Sequence, residues 1–155
     1  MRPSVSASVR GRQSVKRVME ELDVVIVGAG FNGVYLLHKL RSEGYAVRLI
    51  EAQSGLGGVW QANRYPGARV DSHVPNYELS MEACWRDWVW SERFPGRDEL
   101  VRYFEHIDKK LDLSRDIDLD TRLAHCRFGD DYKWRITAEN GREYEASYLL
   151  MCTGF

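Results

Sequence analysis

Asp23-Val24-Val25-Ile26-Val27-Gly28-Ala29-Gly30-Phe31-Asn32-Gly33 opens with an unbroken β-branched run and passes at once into three spaced glycines. A short continuous apolar run ended by glycine reads as a strand covered on both faces, as in a parallel sheet. After the glycines, Val34, Leu37 and Leu40 recur at helical spacing with Leu36 beside them, and Gly44 supplies a stop. Tyr45–Ile50 is the next apolar run and ends at Glu51. Strand, helix and strand together make a β-α-β unit of the expected ~30 residues.

The G-x-G-x-x-G pattern is weak evidence alone, because glycine is common. Here it follows a strand, opens a helix and is answered by an acid at the end of the second strand. Gly28 permits the tight turn out of the strand, Gly30 lets the backbone approach a pyrophosphate, and Gly33 lets the helix pack against the sheet. The helix N-terminus offers free N–H groups and a positive dipole end to phosphates. Glu51 stands close to the roughly 20-residue spacing at which a carboxylate accepts ribose hydroxyls. That favours FAD or NAD over a 2′-phosphorylated dinucleotide. The alternative is that the glycines serve packing alone.

Outward from this unit, residues 53–77 are rich in glycine, proline and turn formers and read as a long loop, a kind that is usually functional or disordered. Residues 78–90 read as a loop with one helical turn. Arg97–Leu111 is a helix, with Leu100, Phe104, Ile107 and Leu111 on one stripe and Asp98 and Glu99 near its start. The stretches 119–128, 132–138 and 143–146, separated by Gly129-Asp130-Asp131 and Glu139-Asn140-Gly141, read as a β-meander. Tyr148–Cys152 is read as a separate final buried strand before Thr153-Gly154-Phe155.

The chain has 155 residues, 44% hydrophobic and 29% charged, which suits one globular domain. A formal net charge of −1 gives no global field for nucleic acid or an anionic membrane. No apolar run nears the ~20 residues of a membrane span. Cys84, Cys126 and Cys152 share no short spacing, which argues against a disulfide framework and for a reducing cytoplasmic setting. The four histidines show no ligand spacing, so no metal site is read. Residues 1–21 read as a disordered basic tail, with no acid before Glu20, and Met19 is an alternative start. The tail has a transit-peptide-like composition but no apolar segment for secretion.

A second motif narrows the reading. Gly57-Gly58-Val59-Trp60 is followed by Arg64-Tyr65-Pro66-Gly67-Ala68-Arg69-Val70-Asp71. This resembles the GG-x-W and YPG-x-x-x-D segments of class B flavin monooxygenases, most closely the Baeyer–Villiger type. Trp85, Trp88, Trp90, Glu92-Arg93-Phe94 and Thr153-Gly154 fit the same pattern, which covers residues 23–154. The resemblance implies an α/β, Rossmann-like FAD-binding domain over residues 22–155: a βαβ start, long loop, helix, β-meander and final parallel strand, truncated before the NADPH domain. It implies cofactor contacts at Gly28, Gly30, Phe31, Asn32, Gly33, Glu51, Gly58, Val59, Trp60, Arg69, Asp71, Tyr77, Leu123, Thr153 and Gly154. Trp60 would cover flavin or ribityl, Arg69 and Asp71 would face the ring system, and Leu123 would meet the adenine.

Asp71 is given a supporting catalytic role, positioning an arginine from further along the family's chain. The cofactors implied are FAD and, for a complete enzyme, NADPH. The substrate implied is a small ketone or a heteroatom compound oxygenated at the expense of O2. Asn32 replaces a small residue often found there, and Val70 stands where relatives often carry cysteine. No second G-x-G-x-x-G follows residue 33, and the family's F-x-G-x-x-x-H-x-x-x-W fingerprint does not occur. The expectation is therefore an N-terminal part, inactive alone. The alternatives are a FAD-binding module that works with a separate partner chain, and a plain NAD-binding Rossmann protein. Trp85, Trp88 and Trp90 read as core or interface, since no basic patch accompanies them.

Overall fold

The computed structural model describes residues 19–154. The first strand, β1 (Glu20–Val27), leads through the glycine turn into helix α1 (Phe31–Ser42) and then β2 (Val47–Ile50). Two single-turn helices, α2 (Val59–Ala62) and α3 (Glu82–Trp85), punctuate the long loop. Helix α4 (Arg97–Leu111) follows, then the short β3 (Ile117–Asp118) and the strands β4 (Leu123–Phe128), β5 (Trp134–Ala138) and β6 (Glu143–Met151).

These strands form one six-stranded sheet in the order β3-β2-β1-β6-β5-β4. β3, β2, β1 and β6 run parallel, and β6, β5 and β4 run antiparallel. β1 is central because its β-branched residues are covered on both faces. Val24 and Ile26 pack with Val34 and Leu37 of α1 and with Leu100, Phe104 and Ile107 of α4. Val25 and Val27 meet Ile136, Tyr144 and Ala146 on the other face. The Tyr144 hydroxyl donates to Asp118 at 2.7 Å, joining β6 to β3 across the two strands that lie between them in the sheet. The meander therefore curls back across β1 and β2 and closes the second core.

Two sequence expectations change. The third meander strand and the separate final strand are one nine-residue strand, β6. Its first half pairs with β5 through Ala146, and its length pairs with β1 from Glu20↔Tyr144 to Val27↔Met151. Period-2 reading broke it at Ser147 because the covered face changes where the second neighbour ends. The domain also begins earlier than residue 22, since Glu20 and Glu21 already pair in β1. The rest of the expected basic tail, residues 1–18, lies outside the described residues, as does Phe155.

Candidate functional site

The turn between β1 and α1 is built around atoms that leave no room for side chains. Gly28 has φ +104°, and its N–H donates to the Ile50 carbonyl at 2.9 Å. A Cβ there would meet the Cys152 carbonyl oxygen at 2.5 Å. A Cβ on Gly33 would lie 1.8 Å from the Gly28 carbonyl oxygen. No side chain caps α1 at Gly30, so the helix presents its N-terminal end bare. Glu51, 5% exposed, accepts the Ala29 N–H on Oε2 at 2.6 Å and the Gln53 N–H on Oε1 at 2.8 Å. Two backbone donors thus hold the buried carboxylate at the end of β2, one lone pair on each oxygen already engaged.

The second motif folds directly onto this turn. The Gly57 N–H donates to the Ala29 carbonyl at 2.9 Å. Gly58 adopts φ +54°, and a Cβ on it would stand 3.0 Å from the Gly30 Cα. The two glycine segments make a backbone-to-backbone approach that only residues without side chains allow. Beyond it, Trp60 is buried. Its indole N–H donates to the Tyr77 hydroxyl at 3.0 Å, and its ring lies edge-on to Tyr77 at 5.8 Å. Tyr77 in turn meets Phe31 edge-on at 5.3 Å, and Phe31 packs on Phe104 at 4.7 Å. An aromatic run therefore links the glycine turn, the second motif and α4.

Gly28–Gly33, Glu51, Gly58–Trp60 and Tyr77 thus gather at the C-terminal ends of β1 and β2. Thr153 and Gly154 adjoin them, because β6 ends beside the turn and the Cys152 N–H donates to the Val27 carbonyl at 2.8 Å. Burial pushes the Cys152 thiol above its ordinary range, so no thiolate opposes an anion at this turn near neutral pH. Leu123 starts β4 two residues after Thr121, whose N–H donates to the Glu51 carbonyl at 2.8 Å. Val59 and Asn32 are exposed. Arg69 turns away from the glycine turn and bonds the Glu92 carboxylate and the Phe94 carbonyl. Asp71 is exposed on the same loop, 3.5 Å from the Ser72 hydroxyl. A cleft of about 480 Å³ opens between this loop and the start of α4, lined among others by Arg64, Arg69, Arg97 and Arg102.

Some contributors had no sequence signal. Arg97 donates from Nε to the Trp60 carbonyl at 2.9 Å and from its backbone N–H to the Ala68 carbonyl at 2.9 Å. Glu99, read as a dipole-favoured acid at the helix start, is buried and accepts both the N–H and the hydroxyl of Ser91 at 2.7 Å. Trp88 and Trp90 pack on Tyr103, at 5.4 and 4.9 Å, while Trp85 is exposed.

Comparison with known proteins matches the same segments. A family described as an NAD(P)-binding Rossmann-like domain covers residues 26–89. An FAD-binding monooxygenase, acrE, from Aspergillus aculeatus is 42% identical over 135 residues, which is 86% of this chain and 23% of the relative. A methyl acetate-forming acetone monooxygenase from a Gordonia species is 42% identical over 135 residues, 86% of this chain and 25% of its own length. Among solved structures, an oxidized steroid monooxygenase bound to NADP superposes with a TM-score of 0.83 at 40% identity, covering 86% of this chain and 26% of that one. The chain spans about a quarter of the length of these relatives.

Proposed function

We infer, from the homology of this chain to FAD-binding monooxygenases of the Baeyer–Villiger type, that it forms the FAD-binding part of an NADPH- and O2-dependent oxygenase. The observation that carries this reading is the contact between the two motifs, Gly57 N–H to Ala29 and Gly58 against Gly30. It makes one backbone-lined cradle at the strand ends, where ligands of open α/β sheets bind. The cradle fits a dinucleotide: an uncapped helix end for the pyrophosphate, side-chain-free walls, and a fixed carboxylate for ribose hydroxyls.

In this reading Gly28, Gly30, Phe31, Asn32 and Gly33 hold the pyrophosphate and Glu51 the ribose. Leu123 meets the adenine, and Gly58, Val59, Trp60, Tyr77, Thr153 and Gly154 surround the remainder. Arg69 and Asp71 belong to the loop beside the flavin, and Asp71 positions a charge supplied from elsewhere in the complete enzyme. FAD, when bound, supplies the redox chemistry with O2, while these residues orient it and exclude water. The substrate class is a ketone, the chemistry carried in the name of the acetone monooxygenase relative. A cytoplasmic setting and no nucleic-acid role complete the proposal, supported by three free cysteines and the near-neutral net charge. Among the described residues no helix is long and apolar enough to cross a membrane.

The test is direct titration with FAD, followed by flavin absorbance and fluorescence, on the wild-type chain and on Glu51→Arg. Saturable binding is expected, weakened about tenfold or more by the substitution, because a cation replaces the ribose acceptor. Equal flavin retention by a folded Glu51→Arg variant sinks the assignment. NADPH oxidation is expected to be absent from this chain alone.

A further inference from the structure

The loop from Trp60 to Ala68 starts at Trp60 and runs into Arg69 and Asp71, three of the residues proposed above to lie around the flavin, and beyond Asn63 little within it holds it in place. Its internal ties are a Tyr65 carbonyl to Ala68 N–H bond at 3.2 Å and a 3.4 Å bond from Arg64 Nε to the Gln61 carbonyl. Arg64, Tyr65, Pro66 and Gly67 are all exposed. The loop starts from α2, a helix of only four residues whose last carbonyls have no intrahelical partners.

Both ends of this loop converge on one residue of another element. Arg97, the first residue of α4, donates its Nε–H to the Trp60 carbonyl at 2.9 Å. Its backbone N–H takes the Ala68 carbonyl, also at 2.9 Å. Gly96 beside it bridges Arg69, and the Val70 N–H reaches the Pro95 carbonyl at 3.2 Å. The Arg97 side chain is 22% exposed, so the bond to Trp60 is largely shielded from competing water, whereas its ion pair to the 79% exposed Asp98 is not.

We propose that Arg97 is a positioning residue that closes the 60–68 loop by capping the orphan carbonyl of Trp60, and so pre-organises the flavin side of the cradle. This rests on the FAD reading for its consequence, but the loop closure itself does not. The backbone half of the clamp survives any substitution except proline. The side-chain half depends on one N–H donor at the Nε position. Glutamine places its amide nitrogen at the same distance along the side chain, without the charge. Methionine fills the same length with no donor.

The experiment compares wild type, Arg97→Gln and Arg97→Met by two readouts: the rate of tryptic cleavage after Arg64, and the FAD dissociation constant with the spectrum of bound flavin. Arg97→Met is expected to raise cleavage and weaken FAD by about tenfold each, since the binding-competent loop is then a minor population. Arg97→Gln is expected to stay within about twofold of wild type in both. Cleavage of Arg97→Met at the wild-type rate overturns the proposal. So does a glutamine variant as loose as the methionine one, since charge and not the hydrogen bond would then be the tie. If Arg97→Met does not fold, Arg97→Gln against wild type decides: a protected Arg64 supports the cap, an open one refutes it. If wild type binds no FAD at all, the functional reading fails while the cleavage rates still judge the loop.

Discussion

At the scale of single residues, the turn tolerates no added atoms. A methyl group on Gly33 would have to occupy space 1.8 Å from the Gly28 carbonyl oxygen, which is backbone and cannot swing aside. Gly33→Ala is therefore expected to cost stability at or beyond the upper end of the ~1–3 kcal/mol typical of overpacking. Urea denaturation of the two proteins checks this, and equal midpoints would refute the geometry. Gly67, at φ +78°, has nothing near its missing Cβ, so an alanine there meets only backbone strain. The sequence announced these glycines by their spacing. It could not announce that Glu51 would already bond Ala29 and Gln53, or that Arg69 would turn towards Glu92, because both depend on the path of a long loop.

At the scale of elements, α1 was readable because its periodicity is local and its glycine stop is strong, and β2 because a short apolar run follows that stop and ends at Glu51. The apolar stripe of α4 was readable for the same reason. Its other role was not: Arg97 and Glu99 look like ordinary first-turn charges, and only the fold brings Trp60 and Ser91 to them. β3 escaped notice because two residues carry no period. α4 also carries a pH dependence. His106 stacks on Trp88 at 5.2 Å, and its Nε2 is buried without a partner. Burial, then the Lys110 charge, push its pKa below the ordinary 6.5, despite Asp87 nearby. His38 is lowered likewise, by burial and then by Arg41 and Lys39. A histidine with a depressed folded pKa leaves the unfolded chain the better proton binder at acid pH. Stability from both is thus complete above about pH 6.5 and declines as pH falls towards the folded values. Denaturation midpoints should drop between pH 7.5 and 5.5, and less so in His106→Phe, which keeps the ring against Trp88. An identical drop in that variant would show that His106 does not carry the effect.

At the scale of the whole molecule, the sheet is finished on one side of β6 and open on the other. β5 pairs no further than Ala146, so among the described residues Tyr148–Met151 have only β1 as a neighbour. Tyr148 and Met151 are 61% and 54% exposed there. An unpaired strand edge with apolar side chains is a template for association. Sedimentation should show the 155-residue chain growing in mass with concentration, and Tyr148→Lys with Met151→Lys should restore a monomer. A wild-type chain that stays monomeric at high concentration would contradict this. The relatives are about four times longer than this chain.

The carbonyl under Gly28 belongs to Cys152, and the central strand waits for β6 along its whole length. A ribosome emitting this chain delivers the glycine turn first and its floor more than a hundred residues later. At roughly 5–20 residues per second that is about 6–25 seconds. During that interval Val24–Val27 are flanked by β2 alone, and any cofactor that arrives meets a cradle without a base.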